Sequence, residues 1–308
     1  MNLNVAVLCK DPSLYDQLKV AAEATTLMLH MNPKFDEYKK DHLIICDHQT
    51  LEKNKDLKDI SKHLLYVISS LSDEENMKLI EKHQLRHLVG LNPLTYAAET
   101  ISHLKKHLQK NIWGLQPYME ASAELKMISL SDSKFTNEMI KESLEHFNFE
   151  DYFSSPMEYI QVMANELISN SLYKGPNRKR QEQGLEGVDR KTPVFLKGSE
   201  LVQVSLAMDS NGVALSVQDS FGGLSYSNLV THLLRSFNEK TAMDKKDGAG
   251  LGLYLTYLHS NQFIINYREN YRTEVICIIE RNKRYKNYKQ RLRSFHYFQE
   301  VAGEKTND

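Results

Sequence analysis

Four short runs, apolar along nearly their whole length, set the first constraint on the fold: LNVAVL (residues 3–8), HLIICD (42–47), LLYVIS (64–69) and RHLVGL (86–91). The stretches that follow them are amphipathic at helical spacing: PSLYDQLKVAAEAT (12–25) with Pro12 at its start, DEENMKLIEKHQ (73–84) and LTYAAETISHLKKHLQK (94–110). A strand that is apolar on both faces must be covered on both faces. Strands joined through helices run parallel. Residues 1–110 therefore predict a parallel α/β domain.

In this order the region resembles the receiver domain of two-component signalling, a flavodoxin-like fold. In that family an acidic pair after the first strand holds magnesium, an aspartate ending the third strand takes a phosphoryl group, and a lysine precedes a proline after the fifth. Asp47 matches the acceptor, and Ser69 or Ser70 the hydroxyl position. Cys9 and Lys10 replace the acidic pair, with Asp11 nearby, and Asn92 stands where the lysine belongs. A magnesium site needs several hard oxygen ligands, and Lys10 puts a positive charge where the ion should go. The expectation is a pseudo-receiver, response regulator-like in fold, with Asp47 a strand-end polar residue.

Residues 111–121, NIWGLQPYMEA, contain Gly114 and Pro117 and read as a linker. From 122 the pattern changes. AELKMISL (123–130) predicts a strand, and two helices follow, one capped by Ser133 and a longer one capped by Ser155 with Pro156 at its first position. GPNRKRQEQGLEGVDRKTP (175–193) reads as a polar loop. LVQVSLAMD and GVALSVQD alternate as strands around DSNG, a hairpin signal, and QFIINYR and TEVICIIE close the series.

Three stretches of this second region carry chemistry. In NELISN (165–170), Glu166 and Asn170 lie four apart, on one face of a helix. In SVQDSFGGLS (216–225) a strand ends in Asp219 and turns through Gly222 and Gly223, which presents an acceptor-only carboxylate suited to an exocyclic amine. In DKKDGAGLGLYLTYLHSN (244–261), Gly248, Gly250 and Gly252 alternate into a helix. Bare backbone at a helix N-terminus suits a phosphate chain.

Together the three resemble the N, G1 and G2 boxes of the GHKL superfamily, the ATP-binding fold of gyrase, heat-shock chaperones, histidine kinases and mismatch-repair ATPases. The resemblance implies, over 122–281, an α/β sandwich of the Bergerat type whose mostly antiparallel sheet is backed by helices, with ATP under a mobile lid. By that analogy Asn170 ligates Mg²⁺ and Asp219 accepts from the adenine amine, beside Gly223 and supported by Thr273. Gly248, Gly250 and Gly252 then shape the phosphate end, and Lys246 of the lid reaches towards it. Phe221 departs from the family pattern, which has glycine two residues after the aspartate, so either a reshaped base edge or a Phe221 ring packed towards the adenine is expected.

Glu166 points to function. Histidine kinases usually carry asparagine there, whereas the hydrolysing members and the anti-sigma-factor serine kinases carry glutamate, a base for water or a protein hydroxyl. His146, the one histidine between 111 and 165, lacks the histidine-kinase phosphorylation-box pattern. The reading is an ATP-binding signalling regulator that phosphorylates a partner protein or gates partner binding through its lid. The alternative is a non-catalytic, nucleotide-responsive interaction module. A homodimer stays open.

Charge and cysteine content limit the partners. Lys plus Arg (39) nearly balance Asp plus Glu (40), a net charge of -1, which gives no bulk attraction to nucleic acid or anionic lipid. The three cysteines, Cys9, Cys46 and Cys277, make no metal spacing, and no apolar run reaches membrane-spanning length. A cytoplasmic protein is expected. The basic, aromatic tail (282–308) predicts a helix that packs its rings inward and turns its charges to water.

Overall fold

In a computed structural model of the chain, the described residues are 3–34, 42–58, 60–108, 111–134, 136–182, 184, 186–187, 192–238 and 251–300. They fall into two compact α/β units, one of Met1–Ile112 with Arg291–Tyr297, the other of Trp113–Gln290 with residues 298–300.

In the first unit β1 (Leu3–Leu8), β2 (Leu27–Met31), β3 (Leu43–Asp47), β4 (Leu65–Ser69) and β5 (His87–Gly90) pair in parallel, in the order β2-β1-β3-β4-β5. This is one of the two common orders of doubly wound sheets. The four apolar runs are β1, β3, β4 and β5. The edge strand β2 escapes the same reading because only Leu27 of its five residues is buried. Val5, Val7, Ile45, Tyr66, Ile68 and Val89 meet Leu18, Ile101 and Leu104 of the flanking helices in one core.

Local signals explain the helix starts. Asp11 accepts from the Ser13 amide ahead of Pro12. Ser72 and Glu75 form a reciprocal capping box at the Asp73–His83 helix. Asp47 is itself a cap: its Oδ1 accepts from the Thr50 amide at 2.7 Å and its Oδ2 from the Thr50 hydroxyl at 3.1 Å. Asn92 is committed to backbone, donating to the Leu292 carbonyl at 2.9 Å and accepting from the Leu292 amide at 3.1 Å.

That segment is where the tail departs from the sequence expectation. The aromatic half closest to Gln290 is helical, over Tyr285–Gln290, and Tyr288 is buried, stacked on Phe153 at 4.3 Å. The following half is a strand, β11 (Ser294–Gln299), antiparallel to β5 through Phe295↔Leu88 and His296↔His87. Five of its six residues are buried, which no amphipathic helix would allow. Arg293, buried beside it, pairs with Asp73. Glu99 of the Tyr96–Lys105 helix also lies in this interior, where burial pushes its carboxyl up to about 8, with Ser294 and Arg291 offsetting part of the cost.

In the second unit β6 (Glu124–Leu130), β7 (Val202–Met208), β8 (Gly212–Asp219), β9 (Gln262–Arg268) and β10 (Arg272–Glu280) are antiparallel throughout, in the order β6-β7-β8-β10-β9. The DSNG hairpin forms between β7 and β8, where Asp209 Oδ1 accepts from the amides of Asn211 and Gly212 at 2.7 and 3.0 Å. The Pro156–Ser169 helix buries Ile160, Met163, Ala164 and Leu167 and packs against the Leu251–His259 helix. Among the described residues no helix is long and apolar enough to cross a membrane. All three cysteines are free and buried.

Candidate functional site

The Pro156–Ser169 helix does not stop at the predicted loop. It passes through a π-helical turn, Asn170–Lys174, into a further helix, Gly175–Glu182. Gly175 and Pro176 are the breakers that make this stretch read as a loop. The π turn shifts the hydrogen-bond ladder just before Pro176, which has no N–H to give and whose ring needs room behind it. Such turns cluster at functional sites because they rotate the side chains that follow.

Asn170 opens that turn. Its Nδ2 donates to Glu166 Oε1 at 2.9 Å, so its carbonyl Oδ1 faces the other way. Oδ1 is buried and, among the described residues, meets no hydrogen-bond donor. A buried acceptor without a donor is costly and demands an explanation. On the other side of Glu166 stands Gly252, in the first turn of the Leu251–His259 helix. A Cβ there would lie 1.9 Å from the Glu166 carboxyl carbon, so only glycine leaves the carboxylate its place.

Asp219 ends β8 opposite Thr273 of β10. Its Oδ1 accepts from the Phe221 amide at 2.8 Å, and the Ser171 hydroxyl lies 3.4 Å from Oδ2. Burial pushes the Asp219 carboxyl up to about 6, against the opposing help of the Phe221 and Gly222 amides, Ser171 and Arg178. Thr273, buried, accepts from the Gly223 amide at 3.2 Å and so ties the turn after Asp219 to the neighbouring strand.

Phe221 does not line the cavity beside Asp219. Its ring is buried against Gly175, where a Cβ would come within 2.5 Å of it. The left-handed position of the turn is Gly222, with φ of +55°, and Phe221 keeps a negative φ.

These groups border one cavity of about 150 Å³, whose lining includes Asn170, Ser171, Asp219, Gly223 and Thr273. That is a space on the scale of one aromatic ring system. Val217, Leu253 and Val275 supply apolar walls, while Lys174, Arg178 and His232 bring cationic or titratable groups. Glu166 and Gly252 stand behind Asn170, outside the lining itself. Lys246, Gly248 and Gly250 lie outside the described residues.

Sequence reasoning missed Arg178. It follows Asn170 by eight residues and donates to the carbonyls of Phe221 at 2.6 Å and Gly222 at 3.2 Å, clamping the turn that carries Asp219. Its signal was hidden because a helix running through Gly175–Pro176 contradicts local propensity. No protein-family model and no curated protein matches the chain.

Proposed function

We propose that the second unit is a nucleotide-binding module of the GHKL type that holds Mg²⁺ and ATP, and that it acts in signalling through a protein partner, in the manner of the anti-sigma-factor serine kinases. The first unit is, in this reading, a pseudo-receiver, with Asp47 occupied as a helix cap and Lys10 in place of a metal ligand.

The observation that carries the proposal is the buried Asn170 Oδ1, an oxygen without a donor at the border of the cavity that also contains Asp219. A neutral carbonyl oxygen aimed away from Glu166 suits a hard cation and not another hydrogen-bond acceptor. Asp219 Oδ2, only weakly engaged by Ser171, is the acceptor for an adenine amine. Magnesium, when bound, would draw off charge from the phosphates. The chain supplies the rest. Thr273 and Arg178 hold the Asp219 turn, the leading amides of the Leu251–His259 helix face the phosphate end, and Glu166 takes a proton from the attacking hydroxyl. Asn170 fixes Glu166 by one oxygen and leaves Oε2 for that proton.

Glu166→Gln is expected to retain ATP affinity within about threefold and to lower phosphate release or transfer by about 10²- to 10⁴-fold, the usual worth of a positioned base. Single-turnover phosphate release with radiolabelled ATP reads this, and equal turnover in the variant removes Glu166 from the mechanism. Gly252→Ala pushes the Glu166 carboxylate from its seat, and the obstacle is a movable side chain. The variant should melt within a few degrees of the parent while losing turnover to a similar extent.

A second reading, a binding module without turnover, draws on the capped Asp47 and the lost acidic pair of the first unit. ATP binding with no phosphate released or transferred selects it.

A further inference from the structure

We propose that Glu99, His103 and His296 of the first unit form a buried site for a divalent transition-metal cation, with Zn²⁺ the best fit. This site shares no residue with the nucleotide cavity, and the proposal stands or falls independently of it.

Glu99 and His103 lie four residues apart on the Tyr96–Lys105 helix and so share one face. His296 comes from β11, where it pairs with His87 of β5. All three are buried, and one donor atom from each lies within 4.8 Å of the others. The Glu99 Oε1 to His296 Nε2 separation is 3.6 Å. That is too long for a hydrogen bond, yet close to the edge of about 3.4 Å that a tetrahedral centre with bonds of about 2.1 Å requires. His103 and His296 stack with ring centroids 3.5 Å apart and planes 19° from parallel, so one ring must turn about its side-chain torsions for both nitrogens to address a common ion.

The carboxylate supplies a second, independent indication. Among the described residues neither Glu99 oxygen makes a well-formed hydrogen bond, although both are buried, and only Ser294 and Arg291 offset part of that cost. The same chain treats a buried carboxylate differently elsewhere. Glu274 accepts from Ser216 at 2.6 Å, Asn266 at 2.7 Å and the Gly114 amide at 2.9 Å. A buried carboxylate left with so little compensation has acceptor capacity that a cation would satisfy.

Outer contacts orient the ligands. His296 Nδ1 lies 3.4 Å from His87 Nδ1, which leaves Nε2 directed at Glu99. His87 stacks on Tyr66 at 4.3 Å, and the Tyr66 hydroxyl meets His107 Nε2 at 2.8 Å. Such second contacts fix ring orientation in metal sites. Two imidazoles and one carboxylate favour Zn²⁺ and its neighbours over Mg²⁺ or Ca²⁺, which prefer oxygen. With the ligands buried, the cation's effect is structural: it ties β11 to the Tyr96–Lys105 helix within the first unit.

The test uses the full chain, purified without a metal-affinity tag and dialysed against a weak chelator. Elemental analysis after incubation with Zn²⁺ should find about one equivalent in the parent and in His107→Gln, and less than about a tenth in His103→Gln or His296→Gln. In case a ligand variant fails to fold, Co²⁺ titration of the parent gives a second measure. A visible ligand-field band saturating at about one equivalent, and displaced by Zn²⁺, is expected of three protein ligands completed by one water. A parent that retains no zinc and shows no such band overturns the proposal, as does zinc retained equally by folded His103→Gln and His296→Gln.

Discussion

Asp219→Asn is expected to weaken ATP binding by about 10- to 100-fold, the loss of a hydrogen bond to a charged acceptor, without lowering the stability of the free protein. The asparagine carbonyl can still accept from the Phe221 amide, so the turn survives. The parent's carboxyl is pushed up to about 6 in the folded chain, above its ordinary value of 3.8. A raised acid contributes stability that is fully present below its unfolded pKa and is lost as pH rises through the folded one. The parent should therefore lose stability between about pH 4 and pH 6 through this group, a slope that the asparagine variant lacks. Nucleotide affinity runs the opposite way. The amine needs the ionised acceptor, so affinity in the parent should hold above about pH 6 and fall by up to about tenfold per unit below it. Calorimetric titration and thermal melts across this range check both slopes. An unchanged affinity in Asp219→Asn at pH 7 would place the base elsewhere.

Gly222→Ala should be the most damaging single change in the second unit. The residue sits at φ of +55°, and an added Cβ would lie 2.2 Å from the Arg268 carbonyl oxygen and 2.6 and 2.7 Å from the Tyr271 and Asn270 amide nitrogens. All three obstacles are backbone, at the turn joining β9 to β10, and none can rotate away. A cost of at least about 3 kcal/mol is expected, a fall in melting temperature of about 6–12 °C or loss of soluble protein. The adjacent Gly223 is the control. A Cβ there first meets Arg178 Nη1 at 3.6 Å, an ordinary contact, so Gly223→Ala should melt within about 2 °C of the parent. Equal tolerance at both positions would contradict the geometry of the turn.

What the sequence disclosed and what it hid divide along physical lines. The strands β1, β3, β4 and β5 were legible because burial on both faces leaves an apolar run that no helix of that length explains. The pairing of Glu166 with Asn170 was legible because helical spacing alone puts them on one face. β2 was hidden by its exposed edge position. The Gly175–Glu182 helix was hidden because its start needs a π turn, which no local pattern announces, and with it went Arg178. β11 was hidden by composition: its charged neighbour Arg293 finds Asp73 only through the fold. Glu99, His103 and His296 could not be assembled beforehand, since almost two hundred residues separate the helix from the strand.

The most direct measurement is a calorimetric titration of the full chain with ATP, in the presence and absence of Mg²⁺, repeated with Asn170→Ala. The account predicts binding near one site per chain, strengthened by Mg²⁺ in the parent by tenfold or more, about 1.4 kcal/mol, and indifferent to Mg²⁺ in the variant. No ATP binding by the folded parent, or a magnesium response that survives in Asn170→Ala, would contradict it.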